Sequence, residues 1–240
     1  EVLKGPASIL FGSIEPGGVI NLVTKKPLGE PFYELGFRAG SRDLFEPNVD
    51  LSGPLTEDGR LRYRLNALYR PEAGVQDYNT ARERFFIAPV LSWAISDRAD
   101  LSISFAYHDE IADIPFDRPL GELDDAFESE IVRAGYDFEH RFSNSWKIRN
   151  GFTFNRRERD FLPFFFAQFL DEATGTLGRV PFSSEQSQTA LEVQTNIVGE
   201  FNTGSIGHTL LAGFDISSYN NPGSTRADLF GTPAFLNIFD

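Results

Sequence analysis

The sequence of 240 residues contains no cysteine, so it can form neither a disulfide framework nor a metal site with thiolate ligands. It contains no methionine and begins with Glu1, which indicates an excerpt from a longer protein. No apolar run reaches the ~18 residues of a transmembrane helix, and no secretory signal is visible. The mean hydropathy of -0.25 does not exclude a membrane β-barrel, because only alternate residues of a barrel strand face lipid.

Basic residues are few: the chain has 22 Lys and Arg against 35 Asp and Glu, and its formal net charge is -13. This balance argues against a nucleic-acid partner, since such binding depends on neutralising phosphates. The three histidines fall on different predicted strands and are not expected to converge on one metal ion. The neighbouring His108, Asp109 and Glu110 are better explained as a solvated strand end than as a metal cluster.

Catalytic signatures are also missing from the sequence. It contains no G-x-S-x-G, no H-E-x-x-H and no phosphate-binding glycine loop. We therefore expect no enzymatic activity, no catalytic residues, and neither a resident metal nor a cofactor.

Residues 1–28 differ in pattern from the rest of the chain. Residues 19–24 (VINLVT) are apolar at both odd and even positions, which predicts a strand buried on both faces. The preceding Pro16-Gly17-Gly18 predicts a turn, and Pro27 ends the strand because proline cannot donate a ladder hydrogen bond. We interpret residues 1–28 as a fragment of a compact soluble core.

From about residue 31 onward, apolar and polar residues alternate with a period of two. In the first segment, Tyr33, Leu35 and Phe37 alternate with Glu34 and Arg38. Nine segments share this pattern: 33–39, 45–52, 61–70, 85–93, 101–108, 132–141, 146–155, 191–197 and 209–217. With their flanks they cover about 10–13 residues each, close to the ~9–11 that cross a bilayer at a tilt. Their mid-strand Arg, Glu and Asp residues fit a water-filled or plugged lumen better than a sandwich core.

The links between these segments alternate between short and long. Short links lie at 40–43, 55–59, 96–98, 143–145 and 202–205, and long links at 71–82, 109–128 and 157–187. Apart from the short first link, tight turns lie at one end and long loops at the other, which predicts a transmembrane barrel with periplasmic turns and extracellular loops. Aromatic residues near the strand ends are expected at the membrane interfaces; they include Tyr69, Trp93, Tyr107 and Trp146.

A soluble β-sandwich is the alternative fold. It predicts that the face carrying Tyr33, Leu35 and Phe37 packs against a second sheet. It explains neither the length of the strands nor the alternation of the links. We therefore predict an all-β fold, a partial transmembrane antiparallel β-barrel.

The beginning of the chain resembles a known family. Residues 1–12 (EVLKGPASILFG) and 15–27 (EPGGVINLVTKKP) closely resemble the end of the plug domain of TonB-dependent siderophore receptors. That family shows E-V-L-R-G-P, then an aromatic-Gly pair, then P-G-G-x-I-N-x-V-T-K. Lys4 stands where Arg is usual, and Phe11 where Tyr is common. Residues 51–55 (LSGPL) and 84–89 (RFFIAP) resemble early barrel strands of the ferric-siderophore branch.

This resemblance implies a barrel of about 22 strands closed by an N-terminal plug. Residues 1–28 would be the C-terminal end of the plug domain, and residues 29–240 would hold strands one to nine of the barrel. The implied function is uptake of ferric siderophores across the outer membrane of a Gram-negative bacterium. Iron would arrive as the ferric siderophore, so it would be cargo rather than a cofactor.

The resemblance also implies partners and leaves alternatives for the cargo. TonB would supply energy through the missing N-terminal plug region, and outer-membrane lipid and lipopolysaccharide would surround the barrel. The cargo could instead be haem, cobalamin or an oligosaccharide. A passive porin would lack a plug and therefore would not begin with the motif of residues 1–27.

Five residues are candidates for sites. Lys4 matches the plug arginine of the family, which implies pairing with carboxylates on the barrel wall, since a charge inside a lumen needs a partner. Phe116, Phe164, Phe165 and Phe166 lie on predicted long loops, where exposed phenylalanines indicate either a siderophore pocket or a loop that packs on itself.

Overall fold

The computed structural model of the protein describes residues 2–4, 18–20, 24–74, 81–113, 126–227 and 234–237. The described residues form β-strands and turns and contain no helix. Strands β1 (Val2–Lys4) and β2 (Gly18–Ile20) pair antiparallel as a separate two-stranded sheet. No described residues form a helix that is long and apolar enough to cross a membrane.

The other eleven strands form one antiparallel sheet. They are β3 (Phe32–Ala39), β4 (Phe45–Pro54), β5 (Leu61–Glu72), β6 (Arg82–Ser96), β7 (Ala99–Asp113), β8 (Ala126–Arg141), β9 (Trp146–Asp171), β10 (Thr176–Thr203), β11 (Ile206–Asn220), β12 (Gly223–Ala227) and β13 (Ala234–Asn237). From β3 to β11 each strand pairs with the next one along the chain. Strands β12 and β13 pair with the part of β10 that extends past the end of β11.

The nine predicted strands are confirmed, since each alternating segment falls within one strand from β3 to β11. The registers also place the apolar residues of neighbouring strands directly opposite one another. Leu35 pairs with Val49, Val49 with Ala67, and Ala67 with Ile87. Directly paired residues share a face of the sheet, so the sheet has one apolar face, which carries these residues, and one polar face, which carries the residues between them.

None of the residues that the structure describes packs against the apolar face. Leu35 is 79% exposed, Phe37 62%, Ile103 49% and Ile216 61%. By contrast, Asp50 on the polar face is only 6% exposed. A β-sandwich would bury the apolar face against a second sheet, so the sandwich alternative does not fit these exposures.

Short turns are found at both ends of the sheet. We call one end of the sheet the lower end; it carries the links at 55–60, 97–98, 142–145 and 204–205. The opposite end, the upper end, carries the first link at 40–44 and the link at 172–175. The predicted Asp58-Gly59 turn is present, with Gly59 at a φ of 65°. Thr56 Oγ1 donates a hydrogen bond of 2.6 Å to Asp58 Oδ1, and this bond holds the pKa of the Asp58 carboxyl below its usual value.

The predicted long loop at 157–187 is wrong. Strands β9 and β10 continue through it and form a hairpin whose turn comprises residues 172–175. The register shifts between Phe182 and Ser184, opposite Pro163, which has no N–H to give to the ladder. The strands were missed because residues 157–187 lie beyond the part of the sheet that has one apolar and one polar face. Apolar and polar residues therefore no longer alternate there.

Two other predicted segments differ in part from the observed bounds. The strand predicted at residues 19–24 is described as β2 at Gly18–Ile20; residues 21–23 lie outside the described residues, and Thr24 lies outside any strand. The long link predicted at 109–128 contains the end of β7 and the start of β8. The division of the chain into residues 1–28 and 29–240 stays a prediction.

Candidate functional site

The polar face is the candidate functional surface, because it carries ionised side chains in the middle of long strands. A charge is retained in such a place only if it is paired or hydrated. Three groups of contacts occupy this face: a linker anchor, a lower network and an upper row of arginines.

The linker anchor attaches residues 24–30 to the polar face. Asp50 on β4 accepts two hydrogen bonds from Arg64 on β5, Nε to Oδ1 at 2.8 Å and Nη2 to Oδ2 at 2.7 Å. Lys25 Nζ lies 2.7 Å from Asp50 Oδ2, and Arg64 Nη1 donates to the carbonyl of Lys26 at 3.0 Å. The Asp50 carboxylate therefore binds a barrel-wall arginine and a linker lysine at the same time.

Ser52 provides a second point of attachment two residues along β4. The Leu28 N–H donates to Ser52 Oγ at 2.8 Å, and Ser52 Oγ donates to the carbonyl of Tyr63 at 2.8 Å. Ser52 is fully buried, so both bonds are shielded from water and stronger for it. The linker is thus hydrogen-bonded to the sheet through its main chain as well as through a side chain.

The lower network centres on Glu139 of β8. Its carboxylate accepts from Arg149 Nε at 2.7 Å and from Arg141 Nη1 at 2.9 Å, and Lys147 Nζ lies 3.7 Å away. Arg141 also donates to Asp100 at 2.8 Å. This network joins β7, β8 and β9 close to the short turns and pairs three cations with two carboxylates.

At the upper end of β3 to β5, three arginines share two glutamates. Arg38 lies 3.6 Å and Arg70 3.4 Å from Glu46. Arg70 also lies 2.8 Å and Arg42 3.6 Å from Glu72. Positive charge exceeds negative charge among these side chains.

The excess of arginine continues on the next strands. Arg82 Nε and Arg84 Nη2 both approach Glu110 Oε1, at 2.8 and 3.1 Å. The registers place Arg70 opposite Arg84, Arg84 opposite Glu110, Glu110 opposite Ser129 and Ser129 opposite Arg159. One row across five strands therefore contains three arginines and one carboxylate.

Aromatic rings flank this row on the polar face. The Phe127 and Phe161 rings lie 5.0 Å apart beyond the row, and the Phe86 and His108 rings lie 6.5 Å apart on its other side. Aromatic pairs at such separations attract each other. The row therefore lies between two sets of rings and not in an entirely polar region.

The apolar face becomes acidic at the same height. Asp109 is opposite Glu130, and Glu130 is opposite Glu158. Arg156 forms an ion pair with Glu158, and Tyr107 donates to Glu130 at 3.1 Å. Carboxylates are costly in hydrocarbon, so this row marks the upper limit of the apolar zone.

The described residues contain no group of three or more His, Asp or Glu side chains placed to hold a metal ion. His108 and Glu110 lie on the polar face and Asp109 on the opposite face, because neighbouring residues of a strand alternate. The three side chains therefore do not converge.

The predicted site residues have different outcomes. Lys4 lies in β1 opposite Gly18, and its pairing with a wall carboxylate stays a prediction. Phe116 lies outside the described residues. Phe164, Phe165 and Phe166 lie within β9 and not on a loop. Their contact with a ligand stays a prediction.

The linker anchor and the arginine row were not predicted. The available signal was the charged residue in mid-strand, which indicated a lumen but not the pairing of charges. Pairing requires the register between strands, since Asp50 and Arg64 are 14 positions apart and belong to different strands.

Comparisons with known proteins agree with this geometry. The metal-pseudopaline receptor CntO of Pseudomonas aeruginosa is 30% identical over 238 residues, covering 92% of this chain and 33% of the relative. The ferrichrome outer membrane transporter/phage receptor of Escherichia coli is 26% identical over 277 residues, covering 100% of this chain and 37% of the relative. The chain thus spans about a third of the length of these relatives. No protein-family model matches it.

A solved structure shows the fold. The ferripyoverdine receptor of the outer membrane of Pseudomonas aeruginosa, bound to ferripyoverdine, superposes with a TM-score of 0.83 at 22% identity. The match covers 98% of this chain and 34% of the receptor. The sheet from β3 to β11 is therefore part of a transmembrane β-barrel, with its apolar face towards lipid and its polar face towards the lumen.

Proposed function

The chain belongs to the TonB-dependent siderophore receptor family, and from this premise we propose that it is the early barrel wall of a receptor for ferric siderophores. The receptor takes its cargo across the outer membrane of a Gram-negative bacterium, with energy delivered by TonB. The observation that supports this proposal is a single-layered sheet of long strands that exposes Leu35, Phe37 and Ile103 on one face and carries ion-paired arginines on the other.

The apolar zone supports a location in the outer membrane. On β9 it extends from Trp146 to Phe154, which at ~3.3 Å per residue is about 26 Å along the strand. At the ~40° tilt of such barrel strands this length spans about 20 Å of height, most of the ~25 Å apolar band. The partners of the receptor in the membrane are lipid along the apolar zone and lipopolysaccharide above it. Trp146 and Trp93, 36% and 49% exposed, lie where aromatic rings favour the membrane interface.

The edges of the sheet support a larger barrel. Among the described residues, β3 pairs only with β4, and β11 only with β10. An open edge cannot persist in lipid, because its N–H and C=O groups would be unsatisfied. We place the further strands of the barrel at these two edges, and the plug, with its contact to TonB, before residue 1.

The proposed activity is transport and not catalysis. The relatives are named as receptors or as a transporter. A polar lumen wall with paired charges can bind and pass a solute without reacting with it. Haem, cobalamin and oligosaccharides are the competing cargoes, and intact growth on every ferric siderophore after deletion of the gene would favour one of them.

Growth on defined iron sources tests the function. Deletion of the gene should abolish growth on at least one ferric siderophore as the sole iron source, and the full-length gene in trans should restore it. Growth on unchelated ferrous iron, which does not need such a receptor, is the control. Intact uptake of every ferric siderophore after deletion would reject the assignment.

The identity of the metal needs its own test, because the name of one relative specifies a metal and not iron. Purified full-length receptor should bind the ferric form of its chelator more tightly than the metal-free form. Binding of the same chelator loaded with divalent metals measures the selectivity of the receptor for the metal. Tighter binding of a divalent complex would assign the receptor to a metallophore of that metal.

A further inference from the structure

We infer that the upper polar face, at Arg70, Arg84, Arg157 and Arg159, binds anionic groups of the cargo, so that the transported chelate is an anion. This inference rests on the proposed function and narrows it. It distinguishes an anionic chelate, which carries carboxylate or catecholate groups, from a neutral or cationic one.

The first argument is position. Arg70, Arg84 and Arg159 lie in one cross-strand row. Arg157 lies two residues from Arg159 on the same face of β9. Four strand spacings of ~4.8 Å make the row about 19 Å wide, which is wide enough to face a bulky chelate. The row lies at the upper end of the lumen, where a solute enters from outside.

The second argument is uncompensated charge. Arg157 and Arg159 have no ion pair with any residue that the structure describes. Arg159 is paired with Ser129 of β8 on one side and with Gln186 of β10 on the other. Neither of these residues carries a charge. Two neighbouring cations without a carboxylate repel each other, so an arriving anion lowers their energy.

The third argument is unused hydrogen-bonding capacity. The Nε atoms of Arg70, Arg84, Arg157 and Arg159 are buried and make no hydrogen bond with the described residues. A buried donor without an acceptor is unfavourable, because it has given up its hydrogen bonds to water. A carboxylate or catecholate can accept from Nε and one Nη together, in the bidentate geometry that guanidinium favours. Because these Nε atoms are buried, each guanidinium group must turn towards the lumen for its Nε to reach such an acceptor.

The fourth argument is the separation of charge between the two faces. On β9, Glu158 and Asp160 lie on the opposite face from Arg157 and Arg159. The chain as a whole is acidic, at -13, so the positive lumen wall is not a result of composition. It concentrates anions on the side of the wall that the cargo passes.

The plug offers the competing explanation. Its carboxylates could neutralise the same arginines in the full-length receptor and leave no role for cargo charge. The two explanations differ in whether the receptor distinguishes chelates by their charge. Plug pairing predicts no dependence of binding on the charge of the chelate.

The test is a binding experiment on the full-length receptor in detergent. The probes are radiolabelled iron complexes of three kinds: an anionic tris-catecholate, a neutral tris-hydroxamate and a cationic hydroxamate. The variant is R157Q/R159Q. The matched control is R156Q, because Arg156 directly precedes Arg157 in sequence but lies on the lipid side of the wall. The R157K/R159K variant keeps the positive charge but lacks the guanidinium group, so binding can still be compared if the glutamine variant fails to fold.

We expect the wild-type receptor to bind the anionic complex best, and less tightly as salt is raised. R157Q/R159Q should weaken that binding by about tenfold or more and leave the other complexes unchanged, since each charged hydrogen bond is worth about a tenfold change or more. R157K/R159K should lie between wild type and the glutamine variant. R156Q should match wild type.

Other results overturn the inference. These are equal affinity for the three complexes, an equal loss for all of them in R157Q/R159Q, or the same loss in R156Q. If deletion of the gene abolishes growth on a neutral chelate only, the proposed function stands and this inference fails. If deletion affects no chelate, both fail.

Discussion

At the scale of single residues, Asp50 shows how burial changes the value of an ion pair. Its carboxylate is 8% exposed, the Arg64 side chain 13% and the Lys25 side chain 59%. The bond between Asp50 and Arg64 is thus shielded, whereas the bond to Lys25 is largely in water. An exposed pair contributes only about 0–1 kcal/mol, but removing one partner of a buried pair leaves a charge unpaired and costs about 3–5 kcal/mol.

The first prediction follows from this difference. Asp50→Asn should lower the free energy of unfolding of the full-length barrel by about 3 kcal/mol, because Arg64 would lose its carboxylate. Lys25→Gln should lower it by less than about 1 kcal/mol. Denaturant titration of the receptor in detergent measures both. Equal effects of the two substitutions would show that the exposure of Lys25 does not limit its contribution.

Ser52 supports a second prediction at this scale. Ser52→Ala removes the acceptor of the Leu28 N–H and should leave that amide unpaired, at a cost of about 1–2 kcal/mol. Hydrogen exchange at residues 24–30 should become faster, while exchange in the neighbouring strand β5 should stay the same. Faster exchange throughout β5 would instead indicate that Ser52 supports the sheet and not the linker.

At the scale of elements, the spacing between strands limits the size of side chains. A Cβ atom added to Gly135 on β8 would lie 2.5 Å from the carbonyl oxygen of Phe152 on β9. Because that oxygen belongs to the backbone of a paired strand, it cannot move without disturbing the ladder. At Gly36 the added Cβ would lie 2.2 Å from Asn48 Oδ1, the end of a side chain that can rotate away.

We therefore predict that Gly135→Ala lowers the yield of folded barrel and that Gly36→Ala does not. Heat-modifiable migration on gels separates folded from unfolded receptor and gives the yield. Equal yields for the two variants would show that β8 and β9 can separate locally without loss of the fold.

The two faces of β7 provide another prediction for an element. Ile103 is 49% exposed on the apolar face, and a lysine there should destabilise the barrel by about 2–4 kcal/mol, the cost of a charge near the bilayer midplane. Ser104, the next residue, lies on the polar face, where Ser104→Lys should be tolerated. Refolding into lipid vesicles over a denaturant series gives both values. A larger cost at Ser104 than at Ile103 would reverse our assignment of the faces.

At the scale of the whole molecule, the proposed barrel needs more strands than the described residues supply. Strands β3 and β11 each have one edge without a partner among the described residues, and such edges promote aggregation in water and are unsatisfied in lipid. The relatives, of which this chain spans about a third, are long enough to supply further strands.

We predict that the 240 residues alone do not insert into lipid vesicles as a protease-resistant barrel, whereas the full-length receptor does. The proportion of protein protected from protease after refolding is the measurement. A protected, monomeric 240-residue product would show that the edges close by another route and would contradict the larger barrel.

The sequence alone determined the faces, the number of strands from β3 to β11 and the family. These properties are local: a period of two assigns each side chain to a face, and the motif of residues 1–27 is continuous in the chain. Only the tertiary structure decided which charges meet. The contacts of Asp50 with Arg64, and the row from Arg70 to Arg159, depend on the register between strands.

The length of β9 and β10 was likewise decided by tertiary structure. Alternation marks a strand only where one face contacts lipid and the other does not. From Arg157 to Phe161 the polar and apolar residues follow no such rule, yet both strands continue because each satisfies the main-chain hydrogen bonds of the other. Periodicity reports the environment of a strand, whereas pairing decides where the strand ends.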